Sequence, residues 1–103
     1  MTGPPDSPWT ISFSEKVARQ IEELAITAAQ QDKEVEFRRS LESVHDRLKN
    51  DPVGWGDPEY RLHDLKLIMY RGIEGILLAN YAVDLRRRIV YVKQIRISPI
   101  LLE

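Results

Sequence analysis

A chain of 103 residues with 43% hydrophobic and 30% charged content has material for one core and reads as one folded domain. It has no cysteine, which excludes disulfides, thiolate metal sites and a cysteine nucleophile. The net charge of −1 conceals an asymmetry: positions 61–97 carry eight Lys or Arg against three acidic residues, and positions 1–60 carry seven against twelve.

The near-neutral total counts against a protein whose sole task is to grip a phosphate backbone, while the local excess at 61–97 counts for it. The two histidines, His45 and His63, lack the companion spacing of a zinc site, and no cofactor motif is present, so neither metal nor cofactor is expected. No apolar run approaches the roughly 20 residues needed to span a bilayer. The opening MTGPPDSPW has neither the basic start nor the apolar core of a secretion signal, which makes the cytoplasm the expected location.

Residues 1–8, rich in Pro and polar groups, read as a flexible leader, and 9–103 as a single domain. In 9–13, Trp9, Ile11 and Phe13 alternate with Thr10 and Ser12, the period of a half-buried strand. Ser12 or Ser14 then offers a cap for a helix, Ser12 with Glu15 fitting a capping box. Val17, Ile21, Leu24 and Ala28 form one helical stripe, and Phe37, Leu41, Val44 and Leu48 a second. A short turn at Asp32 is expected to divide them, with one continuous helix as the alternative. Such stripes suit packing on the protein's own sheet, and two heptads each are short for a coiled-coil partner. Pro52 ends the second helix. The loop that follows, with Trp55 between two glycines, either carries a binding group or closes the end of the core.

From Tyr60 onward short β-type runs alternate with turns. Gly72 and Gly75 mark one turn, positions 84–87 a second, and Pro99 stops the last strand. Runs joined this closely pair antiparallel. The predicted class is α+β: a strand, a two-helix hairpin, then an antiparallel sheet of three or four strands.

Alternation places Leu77, Ala79, Tyr81 and Val83 on one face, and Ile89, Tyr91, Ile95 and Ile97 on one face of the last strand with Lys93 as an intruder. The helices require the apolar side, which turns Asn80, Gln94 and Arg96 away from them. If Tyr60 and Leu62 point inward, Arg61 and His63 join that outer set. Arg61, His63, Asn80, Gln94 and Arg96 could then hold a phosphate, with His63 as the proton-exchanging group. The same pattern also describes an ordinary solvated sheet face. The run from Arg86 to Arg88 reads as a solvated turn that blunts the sheet edge. His63-Asp64 and His45-Asp46 are neighbours whose side chains diverge.

The element order, the "DP" after the second helix and the hairpin "YAVDLRRRIVYV" resemble the RelE/ParE toxin superfamily over roughly residues 9–97. The resemblance implies a plasmid-stabilisation-type bacterial toxin with an antitoxin partner. RelE-type members cleave messenger RNA on the ribosome, and ParE-type members poison DNA gyrase. It maps basic positions to Arg61 and His63. It also implies arginines where this chain has Leu78 and, near Ser98, only Arg96, and it implies a C-terminal tyrosine that is replaced here by Ile100-Leu101-Leu102. Catalysis would fall to His63, Arg61 and Arg96, and RNA contacts to Arg61, Asn80, Gln94 and Arg96. The alternative on the same fold is a non-catalytic module that binds a protein partner or a second copy of itself, its apolar tail being the motive.

Overall fold

The computed structural model describes residues 8–98. Strand β1 (Thr10–Phe13) leads into helix α1 (Glu15–Gln30), helix α2 (Glu34–Asn50) and the short α3 (Pro52–Trp55). Four strands follow: β2 (Asp57–Leu62), β3 (Leu67–Glu74), β4 (Leu77–Asp84) and β5 (Ile89–Ile97). They form one sheet in the order β1-β5-β4-β3-β2. The four later strands pair antiparallel, as expected from their tight turns. A fifth was not foreseen in the sheet: β1 pairs parallel to β5, Thr10 opposite Ile89, with the helical hairpin inside the crossover.

Local chemistry explains the boundaries. Ser14, not Ser12, caps α1, its hydroxyl accepting from the Val17 amide at 3.3 Å. Asp32 sits at φ 57°. The Lys33 amide reaches the Ala28 carbonyl at 2.7 Å and the Asp32 amide reaches Ala29 at 3.3 Å, the paired bonds of a Schellman turn. Hence the helices part at Asp32 without a glycine. Asp51 then accepts from the Gly54 amide to start α3.

The hairpin covers one face of the sheet. Val17, Ala28, Phe37, Val44 and Leu48 pack against Leu77, Ala79, Tyr81, Val83, Val90, Val92 and Ile95. Tyr81 is fully enclosed and stacks between Trp55 (5.6 Å between ring centroids) and Tyr70 (5.4 Å). Its hydroxyl donates to the Pro52 carbonyl at 2.6 Å, and burial pushes its pKa far above the usual tyrosine value, against the opposing pull of the Gly56 amide. Trp55 therefore closes the core. Gly72 lies within β3 rather than at a turn, and it is glycine there because a Cβ would meet the Trp55 ring at 2.6 Å. The turn belongs to Gly75, at φ +58°.

Two bulges reset the alternation. Asn80 faces Gln94 but Tyr81 faces Val92, so Lys93 is the extra residue on β5. Val90 and Val92, not Ile89 and Tyr91, consequently share the helix-covered face with Ile95. On β2 the register shifts between Pro58 and Tyr60.

Candidate functional site

The face of the sheet away from the helices reads across the strands in rows. Tyr60, Met69, Ala82 and Tyr91 form one row, and Arg71, Asn80 and Gln94 the next. Beyond them Leu78 lies between Ile73 and Arg96. Lys93 bulges out at the margin, its ammonium 5.9 Å from the centre of the Tyr91 ring. β1 stops at Phe13, and past it α1 runs along the free margin of β5, where Gln20 Oε1 accepts from the Ile95 amide at 3.1 Å. That contact also brings Lys16, one helical turn earlier, to the rim.

The outcome is an open trough of about 490 Å³. Lys16, Lys93 and Arg96 supply its cations, Asn80 and Gln94 its amide groups, and Tyr60 an aromatic ring that is 56% exposed. Among the described residues Glu59 is the one carboxylate lining it, 3.9 Å from Arg71 Nε, a separation worth little to stability at an exposed site. Among the described residues none of Lys16, Lys93 and Arg96 forms an ion pair within 4.0 Å. The trough can thus receive an anionic backbone on unspent cations while a base lies against Tyr60.

Of the residues singled out from sequence, Asn80, Gln94 and Arg96 come together here. Arg61 and His63 do not. Tyr60 stands opposite Met69 on the open face, which turns Arg61 toward the side of Ile68, a residue packed on the core. His63 belongs to the β2–β3 turn, and both line a different depression. The expected five-residue constellation is therefore divided, because β2 has the parity opposite to the one assumed. Asp64 and His63 do diverge, Asp64 lining a neighbouring hollow, and His45 and Asp46 likewise border separate ones. Arg88 is not a solvated turn residue: its guanidinium lies 4.3 Å from the centre of the buried Trp9 ring. Sequence reasoning missed Lys16, Gln20, Glu59 and Tyr60. The one available signal was Lys93, an intruder in a regular pattern that marked the bulge. Among the described residues no cluster of His, Asp or Glu could hold a metal ion, and no helix is long and apolar enough to cross a membrane. The tail residues Ile100, Leu101 and Leu102 lie outside the described residues.

A helical hairpin on one side of a mixed five-stranded sheet, with the other side open, defines a small α+β protein of RelE-like fold. A similar solved structure is the toxin–antitoxin complex RelBE2 from Mycobacterium tuberculosis: the TM-score is 0.64 at 18% identity, over 88% of this chain and 99% of that one. The likeness is one of fold. No protein-family profile and no curated protein matches the sequence.

Proposed function

We propose that the chain is the toxin half of a bacterial toxin–antitoxin pair and that its open sheet face binds RNA. The observation that carries this reading is the trough of unspent cations, Lys16, Lys93 and Arg96, lined with Asn80, Gln94 and Tyr60 on the uncovered face of a RelE-like sheet. Three cations with an aromatic ring suit a single strand, whose backbone needs charge and whose bases need a flat surface. Attack of a ribose 2′-hydroxyl on the adjacent phosphate would break the bond from phosphorus to the 5′-oxygen, leaving a 2′,3′-cyclic phosphate and a 5′-hydroxyl. Glu59 could take the 2′ proton and return it to the departing 5′-oxygen, with Arg96 facing the charged phosphate. Expressed without a partner, the protein is expected to arrest growth and translation, and the Lys93→Ala/Arg96→Ala variant to relieve the arrest while remaining folded. Unchanged growth and translation with the wild-type protein would count against the reading.

A protein partner is supported by a second feature. Between β1 and the hairpin lies an apolar crevice of about 190 Å³ bordered by Ile11, Phe13, Ile21, Leu41 and His45, and Phe13 is 54% exposed. An antitoxin segment or a second copy would remove that ring from water, which favours association. Light scattering with and without Phe13→Ser tests the second copy: a monomer in both cases leaves the antitoxin as the occupant.

A further inference from the structure

Arg61 and His63, left out of the trough, gather at a second place. The β2–β3 and β4–β5 turns lie at the same end of the sheet, Ile68 standing opposite Val83, which stands opposite Val90. Between them is a depression of about 280 Å³ lined by Arg61, His63, Lys66 and Arg86 over Leu62, Leu67, Ile68 and Leu85. Among the described residues none lines both this hollow and the trough.

Both of its walls are built turns. In 63–66 the Leu65 amide bonds to the Leu62 carbonyl at 3.1 Å and Lys66 to His63 at 3.2 Å, Lys66 taking φ 54°. In 85–88 Asp84 Oδ1 accepts from the Arg86 and Arg87 amides, each at 3.1 Å. The Asp84 side chain is 12% exposed and its other oxygen faces Arg87 at 3.8 Å, so it is committed to holding the turn. Arg61, Lys66 and Arg86 form no ion pair within 4.0 Å among the described residues. Among the described residues no carboxylate lines the hollow, Asp64 and Asp84 bordering the next one with Lys66 and Arg86. Leu85 remains 52% exposed among these cations.

We propose that this turn-end hollow docks a protein segment in which a large aliphatic side chain is flanked by carboxylates. The floor of Leu62, Leu67, Ile68 and Leu85 is wholly aliphatic, with His63 as the hollow's single ring among the described residues. That suits an aliphatic side chain better than a base and sets the hollow apart from the Tyr60-bearing trough. An aliphatic residue seated on Leu62, Leu67 and Leu85 leaves its neighbouring carboxylates level with Arg61, Lys66 and Arg86, so apolar burial and charge complementarity act together. The inference stands independently of RNA binding at the trough.

The test is a nuclear magnetic resonance titration of the 15N-labelled full chain with three probes: the acetylated, amidated peptide Glu-Leu-Asp-Leu-Glu, its Gln/Asn counterpart, and a single-stranded RNA of about twelve nucleotides. The acidic peptide is expected to shift amides in 63–66 and 85–88 with a Kd near ~1 mM, and the uncharged peptide to leave them unmoved. Arg61→Ala/Arg86→Ala weakens the acidic peptide roughly tenfold, the sum of two exposed pairs. Leu85→Ser weakens it as well, and neither variant alters RNA binding at the trough. The proposal is overturned by equal shifts from the two peptides, by no shifts at these turns, or by RNA displacing the acidic peptide from them. Loss of RNA binding at the trough would contradict the RNA reading and leave this one standing.

Discussion

On the covered side of the sheet Tyr70, Tyr81 and Trp55 stack in a column, and Val83, Val90 and Leu77 have no exposed surface. One residue along each of the same strands, the open side carries Arg71, Asn80, Gln94 and Arg96. The comparison teaches how a small sheet divides its labour: alternation lets one set of residues hold the fold while the polar ones between them stay on the open side, beside Leu78 and Ala82, which are buried there.

Variants on each side should therefore fail differently. Tyr81→Ala removes the middle ring of the column and the bond to Pro52 and is expected to cost about 3–5 kcal/mol, measured by urea unfolding. A loss under about 1 kcal/mol would mean that the column is not what secures the covered side. On the open side, Lys93→Ala/Arg96→Ala should change stability by less than about 0.5 kcal/mol. It should nonetheless weaken single-stranded RNA roughly tenfold and lower the salt slope by about 1.4, as expected when two phosphate contacts are lost. Equal effects on folding and binding would erase the distinction. Gly72→Ala, which pushes a methyl against Trp55, is expected to cost about 1–3 kcal/mol by the same unfolding measurement.

The smallest effect is one of pH. Tyr81 ionises less readily folded than unfolded, so its contribution is fully present below the ordinary tyrosine pKa of about 10 and is lost as pH rises beyond it. Alkaline unfolding followed by circular dichroism should begin later in Tyr81→Phe than in the wild type, relative to each protein's stability at neutral pH. An unchanged onset would place the alkaline sensitivity elsewhere.

The helices were legible because their stripes are local: Val17 to Ala28 and Phe37 to Leu48 keep a helical period without interruption, and each carries buried residues. The turn at Asp32 was legible from the break between stripes, although its left-handed residue is not a glycine. The parallel pairing of Thr10 with Ile89 was not legible, since nothing near either residue encodes a partner so distant in the chain. Parity failed at the bulges. Alternation predicts a face only up to the next extra residue, and Lys93 and the shift before Tyr60 each move later side chains across the sheet. Asn80, Gln94 and Arg96 survived because they lie on the same side of the Lys93 bulge. Arg61 did not, because β2 lacks a clean apolar face to fix its orientation: all its residues are exposed except Leu62. Lys16 reaches the trough from a helix, which no strand pattern announces.

The most direct test of the open-face account is a backbone amide titration of the wild-type chain with single-stranded RNA of about twelve nucleotides. The account predicts shifts centred on Asn80, Lys93, Gln94 and Arg96, with those at 63–66 and 85–88 unmoved. Shifts centred on Arg61 and His63, or none at all, would contradict it.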